Sequence, residues 1–423
     1  MKKLTITISL IALLQLMCTD LNSQNYIKLD ASFFSEVLDT VKNVDIYLPG
    51  DYYQHDSILY PVIYFLHGAG GNQNDYHDLA LLLYIMINNE EINPFIIVKP
   101  DGSCEPYLGS AYVNSELYGN YEDFIAEDLI AFTENNFKVN TSKYARYIAG
   151  HSMGGGGALK LSIWHPELYR GVVCSSNNPV RDLTLDNTRS RLYVENDSSF
   201  HFNYNAGTYT ALYITGCGAY SPNLELDPPF DHLIDTSGNF VENVLEKWRL
   251  FDPGYMIQNL TPDDSVAFFI TCGTDDEYQI FPSNLAFIDT LELYDFDHIF
   301  RPYEGGHAHD IAAFMDAYRF IDSLYTQGLT LYIQEDRVMS DLLVWPNPFV
   351  DEISIDFSLK HATTVDIEVC KINGNKILTK REGILNGGQH AVKLNLSHFP
   401  PGVYILNLRM KQQEIIRKLI KMK

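Results

Sequence analysis

The chain has 423 residues, 46% hydrophobic, 20% charged and 13% aromatic, which suits a globular protein with a sizeable core and room for more than one domain. Its formal charge of −24 is unevenly placed: residues 341–423 carry 12 Lys+Arg against 8 Asp+Glu, leaving 18 against 46 in the remainder. So acidic a body repels nucleic acid phosphates, and a nucleic-acid role is excluded.

At the start, Lys2 and Lys3 precede an uncharged run from Leu4 to Met17, and the small or polar Asn22, Ser23 and Gln24 follow. This is the layout of a secretory signal peptide over residues 1–24, too short and too weakly flanked for a permanent membrane span. Met17 stands where a lipobox wants a small residue, which argues against lipidation of Cys18. No later segment is apolar enough to cross a bilayer, so the mature chain is expected to have no transmembrane segment.

Residues 25–335 alternate strand-like apolar runs with helical stretches, the pattern of an α/β fold with a mostly parallel central sheet flanked by helices. Strands are expected at Val44–Leu48, Val62–Leu66, Phe95–Val98, Tyr147–Ala149, Gly171–Cys174, Ala267–Thr271 and His298–Tyr303, and helices at Glu122–Phe137, Gly155–His165 and Asp310–Tyr325. Residues 175–264 lack that rhythm and are rich in Asn, Asp, Pro and Tyr. They read as an insertion with a helix near Phe240–Leu250, placed where a lid or substrate wall would sit. Past a polar join at Gln334–Asp341, residues 341–423 alternate as strands (Ile353, Ile355, Phe357; Val365, Ile367, Val369; then Val403, Ile405, Leu406, Leu408). Turn signals at Asn373-Gly374, Asn386-Gly387-Gly388 and Pro400-Pro401-Gly402 separate them, which reads as a small all-β sandwich.

Five cysteines follow the leader, at positions 104, 174, 217, 272 and 370. No pair has metal-ligand spacing such as C-x-x-C. Cys174 and Cys272 read as small core residues; an oxidising compartment allows one disulfide, for instance Cys104 with Cys217, but the sequence does not determine the pairing.

Gly150-His151-Ser152-Met153-Gly154 matches G-x-S-x-G, directly after the strand Tyr147–Ala149 and opening a helix, the strand–turn–helix that holds a serine on a sharp exposed turn. A serine hydroxyl is a weak nucleophile, so it needs a general base, which in turn needs an orienting acid. Along this kind of chain the order is Ser, then acid, then His. Cys272-Gly273-Thr274-Asp275-Asp276 closes one downstream strand and Glu304-Gly305-Gly306-His307 the next, both where open α/β sheets keep their sites. Asp276 is preferred to Asp275, and His307 to His309 because it follows the Gly-Gly turn directly. An oxyanion hole needs two converging backbone N–H groups. Met153 is one expected donor, and Ala69 in His67-Gly68-Ala69-Gly70-Gly71 the other, with His67 a buttress of that loop.

The run Pro61–Asn74, the stretch Tyr121–Phe137, the elbow AGHSMGGGGAL, and the CGTDD and EGGH turns together resemble the esterase D-like superfamily of the α/β-hydrolase fold. That group holds feruloyl and acetyl-xylan esterases, siderophore esterases, S-formylglutathione hydrolases and mycolyl-transferring relatives. The resemblance implies Ser152 as nucleophile, Asp276 as orienter, His307 as base, and Ala69 and Met153 as oxyanion donors, with no metal or organic cofactor. Trp345-Pro346-Asn347-Pro348-Phe349, Asn373-Gly374-Asn375-Lys376, Gly402-Val403-Tyr404 and the basic tail from Arg417 resemble a type A sorting domain of type IX secretion. This implies passage across the outer membrane by that machinery. The expected activity is a secreted serine carboxylic-ester hydrolase acting on acetyl or feruloyl esters of plant polysaccharide. A siderophore trilactone esterase, an acyltransferase of the same fold and a non-catalytic surface binding protein stand as alternatives.

Overall fold

The computed structural model describes residues 26–335, 339–371, 375–410 and 414–422; the expected leader and the Asn373-Gly374 turn lie outside them. Contacts divide the chain after Thr326 into two units.

The larger unit holds strands β1 (Tyr26–Ser35), β2 (Thr40–Pro49), β3 (Val62–Leu66), β4 (Ile96–Pro100), the short hairpin β5 (Asn114–Ser115) and β6 (Gly119–Asn120), then β7 (Arg146–His151), β8 (Gly171–Ser175), β9 (Ala267–Thr271) and β10 (His298–Phe300). One sheet runs β1-β2-β4-β3-β7-β8-β9-β10. The pairs β1–β2 and β2–β4 are antiparallel, and every later pair is parallel. Parallel strands covered on both faces read as unbroken apolar runs, and β3 (VIYFL), β7 and β9 (AFFIT) are buried along their whole length.

The helices are α1 (His77–Asn88), α2 (Tyr121–Asp123) continuing through a π-helical turn into α3 (Ile130–Asn136), α4 (Met153–Trp164), α5 (Leu185–Glu195), α6 (Thr208–Tyr220), α7 (Glu242–Arg249), α8 (Pro253–Met256), α9 (Phe281–Leu293) and α10 (Ile311–Glu335). Tyr64 and Leu66 pack with α3, α4 and α9 on one side of the sheet, while Ile63 and Phe65 pack with α1 and α10 on the other. The insertion is more helical than expected. It contributes α5 to α8 and shares a separate aromatic core with Ala111, Val113 and Tyr118. Helix α6 escaped the sequence reading because ten of its 13 residues are buried, so it shows no polar face and no 3.6-residue pattern.

The smaller unit is a β-sandwich. Strands β11 (Met339–Trp345), β12 (Glu352–Leu359), β13 (Thr363–Lys371), β14 (Lys376–Leu385), β15 (Gly388–Asn395), β16 (Gly402–Arg409) and β17 (Glu414–Lys421) form sheets β11-β12-β15 and β14-β13-β16-β17. Ile353, Ile355 and Phe357 face Val365, Ile367 and Val369 inside. In β16 it is Tyr404, Leu406 and Leu408 that turn inward, and Val403 is exposed. The Trp345–Phe349 motif is explained by its bonds: Asn347 accepts the Ile420 N–H at 2.9 Å and donates to the Lys418 carbonyl at 2.7 Å, tying this turn to β17.

One expectation needs correction. Cys104 and Cys217 form no disulfide, and all five cysteines of the described residues are free. Cys217 is fully buried in the insertion core and Cys104 packs partly buried against that core.

Candidate active site

The sharp turn between β7 and α4 puts Ser152 at φ 57°, ψ −119°, a backbone region that L-residues rarely adopt. Its neighbours permit the turn. A Cβ on Gly154 would stand 2.0 Å from the Leu66 carbonyl oxygen, so only glycine lets α4 press on the end of β3. The Ser152 N–H donates to the Ser175 carbonyl at 2.8 Å, and Asn177 Nδ2 donates to the Ser152 carbonyl at 3.0 Å, holding the turn to the end of β8.

Ser152, His307 and Asp276 come together from three strand ends. The Ser152 Oγ–H donates to His307 Nε2 at 2.8 Å, and His307 Nδ1–H donates to Asp276 Oδ2 at 2.8 Å. Asp276 has no exposed side-chain area and accepts the Tyr278 N–H through Oδ1 at 2.9 Å. Asp275 is exposed, with its N–H on the Gly305 carbonyl. His309 pairs with Asp78 at 2.7 Å instead of with the serine. The imidazole bonded to Ser152 Oγ is thus that of His307 and not of His309, and the carboxylate bonded to it is that of Asp276 and not of Asp275.

Met153 and Ala69 both line the cavity that opens on Ser152. Met153 is the first residue of α4, so its N–H has no intrahelical acceptor. His67 stays outside the cavity. It is 2% exposed, donates through Nδ1 to the Gly68 carbonyl and accepts the Gly102 N–H on Nε2, both at 2.8 Å. Burial lowers its pKa, which keeps it a neutral brace for the loop.

Several residues here were not foreseen. Glu277 Oε2 accepts the His307 N–H at 2.8 Å, and the Tyr278 ring stands edge-on to the His307 ring at 4.5 Å. Both follow Asp276 directly, so that turn carries more of the site than its two acids suggested. From the insertion, the Tyr209 hydroxyl donates to the Glu277 carbonyl at 2.8 Å and joins α6 to the same turn. The cavity has a volume of about 420 Å³ and is walled by Leu108, Leu212, Tyr213, Tyr220 and Trp248, with Arg181 among them. Among the described residues no group of three or more His, Cys, Asp or Glu is arranged to hold a metal ion.

Compared with known proteins, residues 35–307 match the family model described as "Putative esterase", and residues 343–422 match that of a secretion system C-terminal sorting domain. The chain belongs to the Esterase family. Within this family setting, 145 residues are 28% identical to an endo-1,4-beta-xylanase/feruloyl esterase of Xylanibacter ruminicola, covering 33% of this chain and 20% of that protein. A further 34% identity over 118 residues links it to an esterase of Mycobacterium tuberculosis, covering 28% of this chain and 25% of that one. The chain thus spans about a fifth to a quarter of these curated relatives. A solved ferulic acid esterase superposes with a TM-score of 0.53 at 19% identity, over 72% of this chain and all of that one, which shows the α/β-hydrolase fold. The sorting domain of this Esterase family member points to type IX export, to the cell surface or beyond.

Proposed function

We propose that the chain is a secreted serine carboxylic-ester hydrolase working through an acyl-serine intermediate, with Ser152 as nucleophile, His307 as base and Asp276 as orienter. The observation that carries this reading is the unbroken pair of 2.8 Å bonds from Ser152 Oγ through His307 to Asp276, at the mouth of a cavity. Ser152 Oγ attacks the ester carbonyl while its proton moves to His307 Nε2. The resulting imidazolium is held by the buried Asp276 carboxylate. The tetrahedral oxyanion lies against the N–H groups of Met153 and Ala69. Collapse expels the alcohol, which takes the proton from His307. Water, deprotonated by the same imidazole, then attacks the acyl-serine and frees the acid and Ser152.

The substrate we propose is an acetyl or feruloyl ester on plant polysaccharide. The aromatic cavity wall, the export signal of the sorting domain and the names of relatives as a feruloyl esterase and an acetyl esterase support it. We take the chain as leader 1–24, esterase domain 25–335 with its lid at 175–264, and sorting domain 341–423. The test is hydrolysis of p-nitrophenyl acetate, methyl ferulate and acetylated xylan by the full chain and by Ser152→Ala, with phosphonate labelling of Ser152. Turnover and labelling that vanish in the variant are expected; turnover that survives the substitution would sink the mechanism.

A further inference from the structure

His307 is held at its main chain as well as at its ring. It follows Gly305 and Gly306, and two consecutive glycines give the chain ahead of it wide conformational freedom. Only two side-chain torsions aim an imidazole once its main chain is placed. They cannot correct a main chain that wanders, because this one ring must meet Ser152 Oγ at Nε2 and Asp276 Oδ2 at Nδ1, each at 2.8 Å.

Glu277 supplies the restraint that the glycines lack. Its Oε2 accepts the His307 N–H at 2.8 Å, a bond to the main chain and not to the ring. A Cβ on Gly306 would stand 2.6 Å from that same oxygen, so the glycine is what lets the carboxylate come this close. On the other side of His307, the Tyr303 hydroxyl donates to the Ala308 carbonyl at 2.6 Å. Glu277 is fixed in turn. The Tyr209 hydroxyl of α6 donates to its carbonyl at 2.8 Å, and the next residue, Tyr278, donates its N–H to Asp276 Oδ1 at 2.9 Å. The Glu277 side chain is exposed, yet its own N–H and that of His307 hold its carboxyl below the ordinary range. It is therefore ionised at neutral pH, and its bond to His307 is charge-assisted.

We propose that Glu277 is a positioning residue, whose carboxylate anchors the His307 main chain at the place from which the imidazole reaches Ser152 and Asp276 together. This rests on the serine-esterase reading above. It adds to Asp276, which holds the ring, a second carboxylate that holds the backbone. Glu277 does not line the cavity, and it takes no part in proton transfer.

The experiment measures kcat and KM on p-nitrophenyl acetate for the full-chain wild type, Glu277→Ala, Glu277→Asp and Glu277→Gln, with kcat referred to the sites that the phosphonate titrates. Titration removes any dependence on how much of a variant is folded. Gln keeps an acceptor oxygen at the same reach without the charge, whereas Asp keeps the charge and withdraws the oxygen by one methylene. We expect kcat to fall by about 10–100-fold in Glu277→Ala and Glu277→Asp. KM should stay within about twofold, since His307 serves both acylation and deacylation and both slow together. Glu277→Gln should keep kcat within about fivefold of wild type, because its amide oxygen still accepts the N–H. A Glu277→Ala kcat within about twofold of wild type, or a loss carried by KM alone, overturns the proposal. So does the reverse order, with Asp near wild type and Gln near Ala, which would make the charge and not the main-chain bond the operative feature. If Glu277→Ala yields no titratable sites, the order of Asp and Gln decides. Failure of the underlying mechanism is seen elsewhere, in turnover that survives Ser152→Ala.

Discussion

The imidazoles of His151 and His307 lie 5.1 Å apart, and burial holds His151 down at about 3, with His307 and His309 pushing in the same direction. His151 therefore stays uncharged at neutral pH and adds no positive charge beside the imidazolium that the proposed mechanism forms on His307. This has a consequence for stability. In the unfolded chain His151 takes up its proton near pH 6.5, so its contribution is whole above that value and is lost as pH falls toward 3, by about 1.4 kcal/mol per unit. Asp252 works in the opposite sense. Burial raises its carboxyl to about 6, so its contribution is whole below the unfolded value of about 3.9 and is lost as pH rises through 6. Between about pH 4 and 6 the two slopes oppose each other. Thermal melts across pH 4–7 should show His151→Gln less acid-sensitive than wild type and Asp252→Asn more so. Three parallel curves would contradict this.

Ser152 carries strain as well as chemistry. Its φ of 57° with ψ −119° suits glycine and costs other residues about 1–3 kcal/mol. Ser152→Gly should therefore melt higher than Ser152→Ala, while both lose ester turnover by about four orders of magnitude or more. Equal melting temperatures would mean that the turn is not strained.

The neighbouring acids and histidines should separate cleanly. Asp276→Asn leaves the shape intact but removes the acceptor that fixes the His307 tautomer, so kcat should fall by about 10³–10⁴. Asp275→Asn, on an exposed carboxylate, should stay within about twofold of wild type. His307→Ala should abolish turnover, and His309→Ala, which loses the Asp78 pair and ring contacts with Tyr76, His151 and Phe314 but no bond to Ser152, should keep most of it. Steady-state rates on p-nitrophenyl acetate read all four.

Gly154 tests the elbow's packing. Alanine there would place Cβ 2.0 Å from the Leu66 carbonyl oxygen, and both partners are backbone that cannot turn aside. A loss of about 3 kcal/mol or more is expected by urea denaturation. A loss under about 1 kcal/mol would mean that α4 can lift from β3.

Much of this was legible in the sequence because chemistry and topology coincide. Ser152, Asp276 and His307 each follow a strand whose run of β-branched and aromatic residues marks it, and glycine-rich turns flag the same points. What stayed hidden has physical causes. Strand β1 (YIKLDASFFS) is a part-exposed edge that mixes charge with aromatics. Helix α6, buried nearly all round, has no amphipathic stripe. Arg181, Tyr220 and Trp248 converge only through the folding of the insertion, so no local spacing announces them. The second half of the Asp276–Tyr278 turn went unread because a glutamate and a tyrosine in a loop look like ordinary surface.

The free cysteines set the conditions under which this enzyme can be made. Cys174, Cys217 and Cys272 are buried, and burial pushes their thiols far up, Cys217 and Cys272 to about 12, so thiolate is scarce and air oxidation slow. No cross-link among the described residues has to form before the serine, histidine and aspartate meet. The esterase unit can thus reach its working shape in a reducing cytosol, and dithiothreitol should leave its activity untouched.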